Sequence, residues 1–256
     1  MPATYAVNVE VQQRLSAHRP FFYPKEILDV GSGPATTMIA LLERFPEIQK
    51  AHLIERDQEF VRLAKKLLRD YSLDIAWQET LPKEGSFDLV TCSYMLSELS
   101  DELVERYLQA MEALCQSTII LIDTGTPFGY KRMMQARDFL IQKQYQIVAP
   151  CPHAMACPMD WCHFSCRLPR SHLHRQVKGV ERGFEDEKFC YLIASKERVS
   201  DNQESRIVKL PLKRSGHMHL ALCTPQGTLV ERIVSKKMND TYKKAKKADW
   251  GDTFSS

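Results

Sequence analysis

LDVGSGPAT, residues 28–36, is the stretch that decides the fold, because its glycines Gly31 and Gly33 separate a short apolar run from an amphipathic one. EILDVG before the glycines is typical of a buried strand, and ATTMIALLERF after them is typical of a helix. Glycines in such a loop permit a tight turn and a close approach of the backbone to a ligand, and the helix start offers free N–H groups. The stretch therefore predicts a ligand-binding loop at the carboxyl end of a strand.

The same alternation of strands and helices continues outward over residues 26–149. We therefore predict an α/β fold with a doubly wound, largely parallel, Rossmann-like sheet, in which ligands bind beyond the carboxyl ends of the strands. The helical period over residues 57–70 predicts one apolar face packed on this sheet. That face consists of Phe60, Leu63, Ala64, Leu67 and Leu68.

The alternation stops after Pro150. Residues 150–186 are rich in cysteine and histidine, EKFCYLIASK is a clear strand, and SRIVKLPL, HMHLALC and TLVERIVS predict three short strands before a lysine-rich tail. We therefore expect three parts. They are a cofactor-binding core (1–149), a cysteine-rich metal-binding insertion with the last core strand (150–195), and a small basic β appendage with the tail (196–256).

Composition indicates a globular protein of 256 residues without a secretion signal or a run long enough to span a membrane. We expect it inside the cell, in the cytoplasm, with reduced thiols. Its net charge of +3 is uneven, since residues 196–256 carry 13 Lys and Arg against 7 Asp and Glu. This tail and a run without acids between Trp161 and Val180 predict contact with nucleic-acid phosphates. The run holds Arg167, Arg170, Arg175 and Lys178.

CPHAMACPMDWCHFSC, residues 151–166, holds half of the eight cysteines of the chain. A disulfide framework is disfavoured inside the cell. Zinc sites favour closer cysteine pairs, whereas a proline after a cysteine is typical of iron–sulfur segments. Cys151, Cys157, Cys162 and Cys166 could supply four thiolates locally, or a distant cysteine could complete the set. An iron–sulfur cluster is favoured, and zinc or metal-free cysteines are the alternatives.

Several of these stretches resemble class I S-adenosylmethionine-dependent methyltransferases: LDVGSGP, the acidic end of AHLIE, and FDLVTCSYMLSEL. The resemblance implies that the first loop and the residues ending the next strands bind S-adenosylmethionine. By position, these are Asp29, Gly31, Gly33, Glu55, the neighbourhood of Glu79, Ser93 and Tyr94. No catalytic residue is visible, because TCSY does not match the motifs of known base methylases, and Cys92 is interpreted as a buried thiol.

The cysteine segment, with CPH, a second CP, WCHFS and EDEKFCYL, is similar to the mitochondrial small-ribosomal-subunit-associated methyltransferase-like family and its bacterial relatives. ATYA near the start, SYMLSEL and the final WGD extend the likeness. The resemblance implies a [4Fe–4S] cluster held by three close cysteines and a distant one, here Cys151, Cys157, Cys162 and Cys223. Cys166 is the alternative fourth ligand, and Cys115 and Cys190 are assigned to core packing.

The family resemblance also implies the partner, the small ribosomal subunit and its RNA, and the mitochondrial matrix as the location of eukaryotic relatives. It favours a methyltransferase acting on this RNA. The alternatives are a catalytically inactive RNA-binding assembly factor with zinc at the cysteines and, less favoured, an NAD-dependent oxidoreductase. The NAD-binding fingerprint has a third glycine at the position that Thr36 occupies here. Ala35 replaces a frequent family glycine, and the helical region that usually precedes this segment is expected to be absent.

Overall fold

A computed structural model describes residues 2–170, 172–199 and 204–255. The first part contains α1 (Pro2–His18), β1 (Glu26–Val30), α2 (Thr36–Arg44), β2 (Lys50–Ile54), α3 (Gln58–Leu68), β3 (Asp74–Gln78), β4 (Phe87–Ser93), α4 (Asp101–Leu114), β5 (Cys115–Thr124), α5 (Pro127–Gln142) and β6 (Gln146–Ala149). The rest contains β7 (Phe164–Pro169), α6 (His172–Lys178), β8 (Phe184–Ser195), β9 (Ser205–Ile207), β10 (Leu212–Arg214), β11 (His217–Cys223), β12 (Leu229–Ser235), α7 (Asn239–Lys247) and β13 (Thr253–Phe254). Over these ranges no helix has both the length and the apolar character of a bilayer span.

The large sheet has the strand order β3-β2-β1-β4-β5-β8-β6, and β7 pairs with β8 outside this path. The strands β1 to β5 pair in parallel, with Leu28 opposite His52 on one side and Val90 on the other. The predicted Rossmann-like α/β fold is therefore confirmed. Its strand order brings the carboxyl ends of β1, β2 and β4 to one edge, where parallel sheets bind ligands.

The strand β8 joins the core to the cysteine-rich segment. Its second half pairs antiparallel with β5 and β6, while its first half, from Phe184 to Phe189, pairs antiparallel with β7. The sequence predicted a strand only from Glu187 onward and did not predict β7. The composition of β7, with Cys166, Arg167 and Pro169, hides the strand pattern. Residues 164–169 are thus part of the main sheet.

The helix α1 packs beside α2 and against β6, β7 and β8. Val7, Val11 and Leu15 are fully buried on its inner face, and the polar side chains Asn8 and Gln12 are buried with them. The sequence did not reveal this helix, because the polar residues on the buried face interrupt the apolar stripe of an ordinary surface helix.

The predicted apolar face of α3 is only partly correct. Ala64 and Leu68 are buried together with Val61, but Phe60, Leu63 and Leu67 are exposed. The buried set follows the spacing i, i+3, i+7, so the helix is rotated relative to the prediction and turns Phe60 outward.

Five strands form the C-terminal sheet, in the order β10-β11-β9-β13, with β12 also paired to β11. It has a core of its own, formed by Ile207, Met218, Leu220, Leu222, Val234, Ala245 and Phe254. The stretch predicted as one strand, SRIVKLPL, is divided between β9 and β10. Pro211 lies in the break, where a missing N–H does not harm the ladder.

Candidate functional site

The loop after β1 has a left-handed backbone at Gly31 (φ 71°) and Gly33 (φ 52°). The N–H groups of Gly31 and Ser32 both donate to the carbonyl of Ile54 at the end of β2, at 2.9 and 3.0 Å. A Cβ built on Gly31 would lie 2.8 Å from Sδ of Met95. Glycine is therefore required at position 31 by the backbone conformation and by the packing, and the loop is fixed to the neighbouring strand.

Ala35, the departure noted in the sequence, also has a left-handed backbone, with φ 62°. This conformation is unfavourable for a residue with a Cβ and free for glycine, the residue that the family resemblance implies at this position. The methyl group of Ala35 is fully buried in the core.

A cavity of about 270 Å³ lies over this loop at the carboxyl ends of β1 and β4. Its walls are Thr4, Gly31, Ser32, Gly33, Pro34, Thr36, Thr37, Phe60, Ser93 and Tyr94. The structure thus brings together Gly31, Gly33, Ser93 and Tyr94 of the predicted cofactor residues. Its volume is near the lower end of ligand pockets, about 300–1,000 Å³.

Glu55, predicted to bind a ribose, supports the loop from the end of β2. Its Oε2 accepts the N–H of Gly33 at 2.8 Å and its Oε1 accepts the N–H of Asp57 at 2.8 Å. A carboxylate keeps further lone pairs beside such bonds, so Glu55 could still accept from a ligand. Glu79 is exposed, accepts from Gln58 at 3.0 Å, and does not line the cavity.

Asp29 lies beneath the loop with a side chain that is 1% exposed. Its Oδ1 accepts from the hydroxyl of Thr91 at 2.7 Å, while its Oδ2 and the hydroxyl of Ser32 are buried without a hydrogen-bond partner. Burial raises the pKa of Asp29 to about 7. Asp29 does not line the cavity, and it lies beneath the loop that does.

Sequence reasoning missed the part that α1 plays in the cavity. The hydroxyl of Thr37 donates to Ser93 at 3.2 Å, and the hydroxyl of Ser93 donates to Oδ1 of Asn8 at 3.4 Å. Asn8 in turn donates to the carbonyl of Thr4, which lines the cavity. No local motif links Asn8 to Ser93, so the sequence offered no signal for this contact.

The cysteine segment folds against α5, β8 and the C-terminal sheet. Cys151, Cys157 and Cys162 stand between two small cavities of about 30 and 20 Å³. Cys190 lines the first and Cys223 the second, so three local thiols and two distant ones converge here. Among the residues described, no three His, Cys, Asp or Glu side chains are grouped closely enough to hold a single metal ion.

Within this set, Sγ of Cys223 lies 3.3 Å from Nε2 of His153, and Sγ of Cys190 donates to the carbonyl of Cys162 at 3.2 Å. Cys166 lies apart in β7, on a different cavity facing α1. Of the two candidates for a fourth ligand, Cys223 is therefore the one near the other three. Cys190, assigned to core packing, is buried in the core and also borders the thiol set.

Burial raises the pKa of Cys151, that of Cys162 well above its usual range, and that of Cys223 to about 12. Thiols in such surroundings are neutral unless a cation compensates the thiolates, and metal binding supplies that compensation. All eight cysteines are free of disulfides. Thiolates are the donors that iron–sulfur clusters and zinc both prefer, so the chemistry of these side chains, rather than their spacing here, matches such a group.

The other cysteines show no sign of catalysis. Cys92 in β4 is fully buried, and burial raises its pKa well above the ordinary value. Cys115, at the start of β5, is 3% exposed and belongs to the same core cluster. A buried neutral thiol is a poor nucleophile, so these two residues act in packing.

The basic run before β8 is partly neutralised. Arg167 makes two hydrogen bonds to Asp186, at 2.6 and 3.0 Å, and Arg170 lies 3.1 Å from Glu185. The side chain of Lys178 lies outside the described part of the chain. In α7, Lys243 pairs with Asp240 at 2.9 Å, whereas Lys244, Lys246 and Lys247 are exposed. The exposed lysines are therefore the stronger candidates for phosphate contacts.

A larger groove of about 910 Å³ runs between α1, β7 and the C-terminal turn, away from the cofactor loop. Its charged walls combine Arg14, Arg167 and Lys188 with Glu10, Asp186, Asp249 and Asp252. Both signs of charge are present, so the groove does not form a uniform surface for an anion.

Strand order, the antiparallel β8 inserted beside the edge, and the glycine loop after β1 define a class I S-adenosylmethionine-dependent methyltransferase fold. The structure resembles magnesium protoporphyrin IX methyltransferase from Synechocystis PCC 6803 with bound SAH, with a TM-score of 0.51 and 12% identity. The match covers 76% of this chain and 84% of the other.

Within this class, the chain belongs to the family described as "Mitochondrial small ribosomal subunit Rsm22", whose model matches residues 1–255. It is 25% identical to the human mitochondrial ribosome assembly protein METTL17 over 93% of this chain and 57% of that protein. It is 26% identical to the Rsm22-cox11 tandem protein 2 of Schizosaccharomyces pombe over 90% of this chain and 38% of that protein. The chain thus spans about half the length of these relatives, or less.

Proposed function

We propose that this protein binds S-adenosylmethionine, carries an iron–sulfur cluster and acts on the RNA of the small ribosomal subunit during its assembly. The observation that carries the proposal is the left-handed glycine loop under an open cavity in a chain of the Rsm22 family. Relatives are named as mitochondrial ribosome assembly proteins, which supports the same partner here. The place of action is then that of the small subunit, the matrix for eukaryotic relatives and the cytoplasm for bacterial ones.

In this proposal the cavity holds the cofactor by the groups that surround it. The loop at Gly31 and Gly33 allows the backbone to approach the cofactor, and the exposed ring of Phe60 offers an apolar surface for the adenine. Glu55 is not part of the cavity lining, but it binds the N–H of Gly33 beside the cavity and is the proposed acceptor for the ribose hydroxyls. The unpartnered hydroxyl of Ser32 is a polar group that a ligand could satisfy. When bound, S-adenosylmethionine supplies an activated methyl group.

Methyl transfer from a sulfonium is a displacement that depends mainly on alignment of the two reactants. The described residues that line the cavity offer hydroxyls, from Ser93 and Tyr94 among others, but no carboxylate, imidazole or amine. This lining suits transfer by positioning. It equally suits the second candidate, a factor that binds the cofactor and the RNA without transfer.

The cluster in this proposal is held by Cys151, Cys157, Cys162 and Cys223, and it contributes structure. Three of these cysteines belong to the segment that follows β6, and Cys223 ends β11 of the C-terminal sheet. Ligands from both parts would fasten that sheet to the core, which follows the proposed division into residues 1–149, 150–195 and 196–256. Zinc at the same thiols is the alternative.

Calorimetry with S-adenosylmethionine and with NAD tests the cofactor. Gly33→Val should weaken binding of S-adenosylmethionine at least tenfold, because a side chain at φ 52° strains the loop and enters the open cavity. Gly216→Val is the matched control. Gly216 also has a positive φ and no atoms near its Cβ direction, but it lies between β10 and β11. Binding of NAD alone would refute the proposal.

Activity and binding are separated by a methylation assay. Precursor small subunits are incubated with the protein and a methyl-labelled cofactor, and incorporation into the RNA is measured for wild type and Gly33→Val. Incorporation of label into the RNA by the wild type but not by Gly33→Val identifies a methyltransferase. Cofactor-dependent association with the subunit but no label identifies the binding factor.

A further inference from the structure

Two of the most deeply buried cations of the molecule flank the thiol set. Arg137 in α5 and Arg206 in β9 are each 2% exposed. Burying a guanidinium is unfavourable unless hydrogen bonds and opposite charge compensate it. Both side chains therefore need strong acceptors in their surroundings.

Arg137 holds the loop between the first two cysteines. Its Nη2 donates to the carbonyls of His153 and Met155, at 2.9 and 2.8 Å, and its guanidinium also borders the cavity formed with Cys151. Its Nη1 lies 3.5 Å from Asp138, a carboxylate that is 64% exposed and therefore well solvated. Arg137 thus fixes two carbonyls of the cysteine loop from the core side.

Arg206 holds the same loop from the opposite side. Its Nε donates to the carbonyl of Pro150 at 2.8 Å, next to Cys151, and its Nη1 donates to the carbonyl of Gly251 at 2.9 Å. Its Nη2 lies 3.2 Å from Nε2 of His18 in α1. Since Arg206 belongs to the C-terminal sheet, the loop is clamped between two different parts of the fold.

The positive charges of Arg137 and Arg206 lie on either side of the same thiol set. The carbonyl that Arg206 binds belongs to Pro150, next to Cys151. Of the two cavities that Cys151 lines, one is bordered by Arg137 and the other by Arg206. A cluster bound by four thiolates is an anion in a setting of low dielectric, where a nearby fixed cation is strongly stabilising. Without that anion, two buried cations approach the same loop with mainly carbonyl groups and the exposed carboxylate of Asp138 to compensate them.

We propose that Arg137 and Arg206 are positioning residues of the thiolate site, acting as paired counter-charges that make filling of the site and docking of the C-terminal sheet one coupled event. The inference rests on the proposed cluster and deepens it. Arg137 is contributed by the core and Arg206 by the sheet, so the anion between them attracts both parts. Removal of the cluster should loosen the sheet as well as the loop.

Arg132 offers a matched control on the same helix. It is 3% exposed, and it pairs with Asp101 and donates to the carbonyl of Leu99 at 2.9 Å, away from the cysteines. Arg132→Met therefore removes an equally buried cation of α5 without touching the thiol loop. The comparison of Arg137→Met with Arg132→Met separates a local effect on the site from a general effect on the helix.

The experiment uses the full chain purified without oxygen. Iron and acid-labile sulfide per chain and the reduction potential of the cluster are measured for wild type, Arg137→Met, Arg206→Met and Arg132→Met. We expect the first two variants to lose at least half of the iron. The remaining cluster should be harder to reduce by at least tenfold in the equilibrium constant, or about 59 mV for one electron, because the added electron loses a stabilising cation. Arg132→Met should match wild type in both.

Hydrogen exchange measures the coupling between filling of the thiolate site and docking of the C-terminal sheet. Stripping iron from wild type with a chelator should raise exchange at least tenfold at the amides of β9 and β13, and this response should shrink in Arg206→Met. If Arg137→Met does not fold, the reduction potentials of Arg137→Lys and Arg137→Gln test whether the charge at this position matters. The lysine variant should keep the wild-type potential and the glutamine variant should not, and equal potentials overturn the inference.

The outcomes also separate this inference from the proposal on which it rests. Wild type without iron and sulfide removes the proposed cluster, and this inference falls with it. Wild type with a full cluster, together with arginine variants that match Arg132→Met in iron, potential and exchange, overturns the paired counter-charges alone.

Discussion

Asp29, under the glycine loop, makes the stability of the fold depend on pH. Asp29 is buried with one oxygen unpartnered, and its pKa is raised to about 7 from an ordinary 3.8. The folded protein therefore binds this proton more tightly than the unfolded chain does. The stability that the proton contributes is complete below about pH 4 and is lost as pH rises through 7.

Asp29→Asn should remove this dependence, because an amide does not ionise. We expect the free energy of unfolding of wild type, relative to the variant, to fall by on the order of 3–4 kcal/mol between about pH 4 and pH 8, from about three pKa units at 1.36 kcal/mol each. Urea denaturation at intervals of one pH unit measures it. Asp74→Asn, at an exposed position in β3, is the control. A difference between wild type and Asp29→Asn that is constant with pH would contradict the assignment.

At the same scale, the sequence predicted some site residues and missed others for a clear reason. Gly31 and Gly33 form a local motif between a strand and a helix, so the position of their loop could be predicted. Cys223 is far from the cysteine segment in sequence and was indicated only by the family resemblance. Asn8 could not, because its partner Ser93 is 85 residues away and neither belongs to a motif that links them. Contacts between distant polar side chains leave no periodic signal.

Among the elements, β8 closely constrains the turn that crosses it. The turn after β5 passes so close to it that a Cβ on Gly125 would lie 2.6 Å from the backbone at Lys188 and Phe189. Backbone atoms of a central strand cannot move aside as a flexible side chain can. The position therefore tolerates only glycine.

Gly125→Ala should lower the free energy of unfolding by about 1–3 kcal/mol or more, as overpacking of a core does. Gly183→Ala is the matched control. Its Cβ would meet no atom within 4 Å, and it lies just before the same strand. Thermal and chemical denaturation of both variants are compared. Equal stability of Gly125→Ala and Gly183→Ala would show that the backbone of β8 can move to accommodate a Cβ at position 125.

Elements with a regular hydrophobic period were predictable, and the others were not. The strands and helices between residues 26 and 149 alternate apolar runs of characteristic length, so their type and order were correct. The orientation of α3 was wrong because Val61, Ala64 and Leu68 also satisfy helical spacing, and only the sheet beneath decides between the two faces. The strand β7 has no such pattern and exists because the first half of β8 offers it a pairing edge.

On the scale of the whole molecule, both ends of the chain meet at one turn. The carbonyl of Gly251 accepts hydrogen bonds from Arg14 of α1 and from Arg206 of β9. Gly251 has φ 92°, and a Cβ there would lie 3.0 Å from Phe164. This explains why the WGD stretch belongs to the fold of the family domain, since α1, β7 and the C-terminal sheet are joined there.

Charge distribution across the molecule predicts which surface makes the proposed contact with RNA. Substituting Lys244, Lys246 and Lys247 of α7 by glutamine should weaken binding to small-subunit RNA. It should also reduce the slope of log K against log salt by about 1 for each phosphate that these lysines neutralise in the wild type. The control substitutes Lys65, Lys66 and Lys83, which are exposed on the core and change the net charge equally. Binding is measured by titration at several salt concentrations, and equal slopes for the two triple variants would exclude α7 as the phosphate-binding surface.

The pairing of β6 with β8 has a consequence for how the protein is made. In the described part of the chain β6 pairs with β8, which begins only at Phe184, after the whole cysteine segment has been translated. A nascent chain leaving the ribosomal exit tunnel therefore carries β6 and the first thiols while the edge of β5 is still open. Closure of the sheet between β5 and β6 therefore requires β8, and Cys223 at the end of β11 reaches the other thiols only after that strand has been translated.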